Sequence, residues 1–161
     1  MTFSLATRLA AEFFGTAIMI ILGNGSVADV ELKGTKGTKS GWITISVGYG
    51  FAVMIPALMF GSVSGNHINP AFTLGLAFAG AFPWHEVLPY IAAQLIGAAV
   101  GQLVVWICFK PHYDMTENPD AILGTFSTSD ATGNKLNGFV NEFFGTFTPV
   151  SYTHLTLPTN S

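Results

Sequence analysis

From Ser40 to His85 the chain carries no Asp, Glu, Lys or Arg, a run of 46 residues. About 20 apolar helical residues are enough to cross a hydrocarbon core of about 30 Å, so this run holds more than one membrane element. It is also punctuated. Trp42 to Phe60 is apolar and long enough for one span, and small and polar residues follow at Gly61, Ser62, Ser64, Gly65, Asn66, His67 and Asn69. Pro70 then opens a second apolar piece that reaches about Phe82, and Pro83 closes it. Proline suits the first helical position, where its missing N–H would have no partner anyway, and Asn69 stands at the N-cap. Roughly ten to twelve residues at ~1.5 Å each give about 15–18 Å, near half a bilayer. The spacing therefore predicts a re-entrant half-helix over 70–82. Lipid tolerates irregular backbone only where protein buries it or water meets it. The backbone of Gly65–Ile68 is accordingly expected to line a wet path, with the positive end of the helix aimed at mid-membrane.

Composition points the same way. Charged residues make up 9% of the chain and mean hydropathy is +0.50, whereas soluble domains carry about 25% charge. The expected fold class is all-α: a polytopic bundle in the cell membrane, with the lipid bilayer as its partner. Cys108 is the single cysteine, which excludes a disulfide framework or a zinc site, and no metal or cofactor is expected. A net charge of -3 without a basic patch points away from nucleic acid.

The first span is expected at about 9–28. Arg8 followed by an apolar run has the outline of a signal peptide, but Glu12 interrupts the apolar core and further spans follow. A carboxylate facing lipid costs a few kcal/mol, so Glu12 should point into the bundle, either reaching for interfacial water or accepting hydrogen bonds from the backbone near Gly65–Ile68. The second span is 42–60, with a kink expected at Pro56 and close helix approach at Gly48 and Gly50. The third is 87–109, where Gln94, Gly97 and Gly101 share a face and suggest small-residue packing. Residues 110–137 read as a long polar loop whose apolar insert 121–126 folds back. The five residues Glu12–Thr16 recur as Glu142–Thr146, an offset of 130. A fourth span starts at 138–147, but its apolar character fades by about Val150. The expected organisation is thus one membrane domain over 1–147, with 148–161 a foreign tail that does not continue the helix.

The segment SGNHINPA, residues 64–71, resembles the first Asn-Pro-Ala box of the major intrinsic proteins, the aquaporins and glycerol facilitators. The loop segment NPDAILGTFST resembles that of bacterial glycerol facilitators, and the likeness covers about residues 5–147. It implies a passive channel for small neutral solutes, glycerol or water, and no enzyme. The implied solute-facing residues are Gly65, Asn66 and His67 through their carbonyls, Asn69 through its amide, and Pro70 and Ala71 completing the box. Tyr49 matches the position of a pore-narrowing aromatic, where glycerol facilitators often have Trp and water channels Phe; an interfacial aromatic is its alternative. Glu12 and Glu142 would support the loops of the two repeats. The likeness also implies a cytoplasmic N-terminus, although the three lysines of 29–40 argue for a cytoplasmic loop there. It implies a homotetramer for the full-length form, and the chain here as a half without a second Asn-Pro-Ala box. A secondary transporter, an intramembrane enzyme using His67 with Glu12, and a non-conducting membrane scaffold are the competing readings.

Overall fold

A computed structural model describes residues 3–128 and 134–156, the last ten of these as backbone only. Seven helices and no strand occur among the described residues. Three of them are long and apolar enough to cross a membrane: α1 (Leu5–Glu31), α2 (Trp42–Ser64) and α4 (Trp84–Cys108). Between α2 and α4 lies the nine-residue α3 (Pro70–Phe78). Two short helices, α5 (Lys110–Met115) and α6 (Pro119–Gly124), and then α7 (Lys135–Thr156) complete the chain.

The helices outrun their apolar segments where a cap, rather than hydropathy, sets the end. α1 begins at Leu5 because the Ser4 side chain accepts from the Thr7 amide at 3.2 Å. It includes Arg8 and Glu12, whose polar groups find partners inside the bundle. α2 runs four residues past Phe60, to Ser64, and stops at Gly65, whose φ of 89° is left-handed. α3 ends at Phe78, short of the expected Phe82. Gly80 takes φ 74°, its amide donates to Ala77 at 3.1 Å, and the Ala81 amide donates to Leu76 at 2.9 Å. This pair of bonds is the Schellman motif, and it closes a helix regardless of the apolar residues beyond. Pro83 caps α4 rather than ending α3.

α1 is the central element and packs on both α2 and α4. The approach to α4 is close because two glycines remove side chains. A Cβ on Gly97 would lie 2.3 Å from the Phe13 carbonyl oxygen, and one on Gly101 would lie 2.6 Å from that of Ala17. Gly48 serves α2 likewise, with a Cβ there 2.4 Å from Ser26 Cβ. Gly50, expected to do the same, faces open space. Pro56 is buried inside α2.

The polar segment after α4 is not one loop. Ile122 of α6 packs against Ala28, Leu32, Val105 and Tyr113, so the apolar insert folds onto the ends of α1 and α4. The Tyr113 hydroxyl and Thr125 Oγ1 are 2.7 Å apart, and burial pushes the Tyr113 phenol above its ordinary range. α7 corrects one expectation: the helix begun before Glu142 does continue, as far as Thr156. Backbone hydrogen bonding within a helix does not require apolar side chains, so fading hydropathy did not mark its end. Residues 157–161 of the expected tail lie outside the described residues.

Gly97→Ala is expected to destabilise the chain by about 1–3 kcal/mol, since its methyl group meets backbone rather than a movable side chain. Gly50→Ala is expected to be neutral or to stabilise by up to ~1 kcal/mol through helix propensity. Thermal unfolding of both variants in detergent micelles, followed by circular dichroism, checks the pair.

Candidate functional site

The five residues between α2 and α3 form the most irregular backbone among the spans. Gly65 is left-handed at φ 89°, and so are Asn66 at 49° and Ile68 at 39°. Glycine and asparagine tolerate this region, but a β-branched isoleucine there is strained, by about 1–3 kcal/mol. Something must hold Ile68 in place.

Glu12 does so. It is fully buried on α1, and four donors converge on it. Oε1 accepts from Ser64 Oγ at 2.6 Å and from the His67 amide at 2.9 Å. Oε2 accepts from the Ile68 amide at 2.8 Å and from Gln94 Nε2 at 2.8 Å. A buried charge is costly unless each lone pair is met, and charge-assisted bonds of this kind are the strong ones. Gly15, one turn along α1, leaves room for the loop: a Cβ there would be 3.0 Å from Ile68.

Two further polar contacts meet at Thr73 on α3. Gln94 Nε2 also donates to Thr73 Oγ1 at 3.0 Å, and His67 Nδ1 lies 3.1 Å from the same hydroxyl. The His67 ring is buried among Phe72, Phe82 and Tyr90. Asn69 is exposed at the head of α3, where its Oδ1 accepts from the Ala71 amide at 2.8 Å. That bond fixes the amide plane, and Nδ2 has no hydrogen-bond partner among the described residues. The carbonyls of Gly65, Asn66 and His67 likewise accept no hydrogen bond among the described residues. Pro70 and Ala71 are half-buried in the first turn.

Tyr49 belongs to a different cluster. It lies 16 residues before Gly65 on the same helix, about 24 Å along the axis. Its ring leans on α1 at Gly23, where a Cβ would come within 2.6 Å of it. Its hydroxyl donates to Asn24 Oδ1, and Asn24 Nδ2 donates to Gln102 Oε1 at 2.7 Å. Tyr49 and Asn24 line a cavity of about 460 Å³ whose other walls include Ile20 and Trp42, with Glu31 and Asp120 also on its lining. Glu142 is exposed on α7. The sequence reading did not identify Thr73, Tyr90, Asn24 or Gln102. Thr73 carries a usable signal, its place one turn after the Asn69 cap; the others are polar or aromatic residues inside long apolar helices.

A family model described as major intrinsic protein matches residues 1–160. The chain is 51% identical over 152 residues to glycerol uptake facilitator protein-like 5 of Lactiplantibacillus plantarum, covering 91% of this chain and 61% of that one. It is 52% identical over 149 residues to the glycerol facilitator-aquaporin of Lactococcus lactis subsp. cremoris, covering 87% and 51% respectively. The X-ray structure of the aquaglyceroporin from Plasmodium falciparum superposes with a TM-score of 0.64 at 30% identity, over 70% of this chain and 45% of that one. The chain therefore spans about half to three-fifths of the length of these curated relatives.

Glu12→Gln places an amide donor against two of the four converging donors. It is expected to lower stability by about 2–4 kcal/mol. Glu142→Gln, at an exposed position, is expected to change stability by less than about 0.5 kcal/mol. Unfolding of both variants in micelles tests the contrast.

Proposed function

This chain belongs to the major intrinsic protein family and crosses the membrane several times, and on that footing we propose that it supplies the first half of a passive pore for small neutral solutes, glycerol and water. The observation that carries this reading is the loop between α2 and α3. The Nδ2 of an exposed asparagine and three carbonyls, none with a hydrogen-bond partner among the described residues, lie on a loop whose His67 and Ile68 amides are held by one buried carboxylate.

α3 is about 14 Å long, too short to cross, and it lies between two helices that are long enough. In this reading α3 re-enters: the chain dips into the membrane along 65–69 and returns along 70–78. The carbonyls of Gly65, Asn66 and His67 then give a row of acceptors, and Asn69 Nδ2 gives a donor at its end. Pro70 and Ala71 keep the first turn of α3 compact behind that donor. A hydroxyl group or a water molecule exchanges its hydration shell for these groups as it passes. The positive end of α3 disfavours cations at the same point. No bond is made or broken, so the chain is not an enzyme.

Tyr49, on the lining of the 460 Å³ cavity, narrows the path in this reading. The names of the curated relatives, glycerol uptake facilitator and glycerol facilitator-aquaporin, support glycerol together with water. Glu142 takes in the second half the place that Glu12 takes in the first, on the strength of the repeated pentapeptide. The full-length form is a homotetramer, with exposed apolar side chains of α2 and α4, such as Leu58 and Leu88, meeting lipid or a neighbouring protomer.

Residues 1–147 can be fused to the remaining length of the Lactococcus lactis relative and placed in liposomes. The fusion is expected to raise glycerol permeability well above that of empty vesicles, without ion current and independently of a pH gradient. Asn69→Leu in the fusion is expected to abolish the effect, and the 161-residue chain alone is expected not to conduct. A folded fusion no more permeable than empty vesicles overturns the proposal, and uptake driven by a pH gradient replaces it with coupled transport.

A further inference from the structure

Glu12 takes up two donors of the loop, the His67 and Ile68 amides, but the acceptor at its head is met from the other side. The Ser64 carbonyl accepts from the Tyr90 hydroxyl at 3.2 Å. Tyr90 is fully buried on α4, its ring 5.1 Å from that of His67 and 4.7 Å from that of Phe82. Arg8 Nη1 lies 3.4 Å from the Tyr90 oxygen, and the guanidinium carbon lies 5.9 Å from the ring centroid. Arg8 is in turn gripped by both oxygens of Glu86: Nη2 donates to Oε1 at 2.7 Å, and Nη1 donates to Oε2. Arg8 is 7% exposed and Glu86 8%.

A merely structural account of this pair is weak. Removing two charges from water costs about as much as their attraction returns, so a buried ion pair adds little stability over two apolar side chains. The contact between α1 and α4 is already made by Gly97 and Gly101. What an apolar pair could not do is direct the phenol. Arg8 donates to the Tyr90 oxygen and the Tyr90 hydroxyl donates to Ser64, so each bond polarises the next. The rigid fork of a guanidinium can hold a carboxylate and a third partner at once.

We propose that Arg8, fixed by Glu86, is a positioning residue for the 65–69 loop: it aligns Tyr90 so that the Ser64 carbonyl is clamped and the carbonyls after it keep their direction. Two clamps then act on one loop, Glu12 on the His67 and Ile68 amides and Arg8–Tyr90 on the carbonyl at its head. The proposal concerns the shape of the loop and is independent of whether the chain conducts.

The test uses the 161-residue chain in lipid nanodiscs, read by NMR at the Ser64 carbonyl carbon and by amide exchange at Asn66–Ile68. Tyr90→Phe removes the hydroxyl alone. The double variant Arg8→Met, Glu86→Met removes both charges and leaves neither unpaired. Both are expected to keep the helical content and unfolding midpoint near those of the parent. Both should shift the Ser64 carbon upfield and speed exchange at Asn66–Ile68 about tenfold, as the loss of one buried hydrogen bond worth ~1.4 kcal/mol implies. Amides in the middle of α1 and α4 should not change. If Tyr90→Phe moves these signals and the double variant does not, Arg8 and Glu86 merely tie two helices and the proposal fails. It also fails if Tyr90→Phe moves nothing. Should the double variant not fold, Arg8→Lys keeps the ion pair but loses the fork, and an unmoved Ser64 signal there overturns the proposal.

Discussion

Glu12 is a fully buried acceptor, placed where four donors converge from α2, the following loop and α4. Such a group has one acceptable arrangement, and every neighbour must conform to it. The loop adopts left-handed backbone at Ile68 because two successive amides, those of His67 and Ile68, must reach the two oxygens of one carboxylate. α1 must be small at Gly15 so that Ile68 can lie against it. α1 must in turn sit close to α4, since Gln94 supplies the fourth donor, and Gly97 and Gly101 make that distance possible. The geometry of five irregular residues is thus inherited from the packing of two long helices.

α3 is specified at both ends by its own sequence. Asn69 and Pro70 start it, and Gly80 stops it after nine residues. Its short length therefore does not depend on lack of apolar residues; Ala79, Ala81 and Phe82 would have allowed a longer helix by hydropathy alone. A helix that begins next to carbonyls without partners among the described residues concentrates donors and acceptors in one place. That is why the loop and the helix behave as one unit.

The uncharged run and its polar interruption made the class of fold and three long helices legible before any coordinates. Boundaries were less legible, for a physical reason. Hydropathy reports which medium a residue prefers, whereas a helix ends where a cap satisfies its last amides and carbonyls. Ser4, Gly65 and Gly80 set such ends, and α7 runs past its apolar stretch because nothing in hydropathy forbids it. In the site, Asn69 announces itself as a cap through the proline that follows, and Glu12 is conspicuous as a charge in an apolar helix. Their partners are not conspicuous. Gln94 lies 82 residues from Glu12, and Gln102 lies 78 from Asn24; only the folded chain brings such pairs together. Tyr49 could be placed at mid-span from its position, but its lean onto Gly23 is a matter of tertiary packing.

The order of synthesis gives the fourfold cage of Glu12 one more consequence. Ser64 lies 52 residues and Gln94 82 residues beyond Glu12 in the chain, so both are made after it. The carboxylate must therefore wait in a nascent chain that offers it nothing. At the centre of an inserted helix that wait would cost about 2.5–3.5 kcal/mol. Glu12 is only the eighth of 27 residues in α1, close enough to the end for its side chain to stretch back toward the headgroups. It can stay hydrated there until translation delivers the rest of its cage, which α4 completes with Gln94.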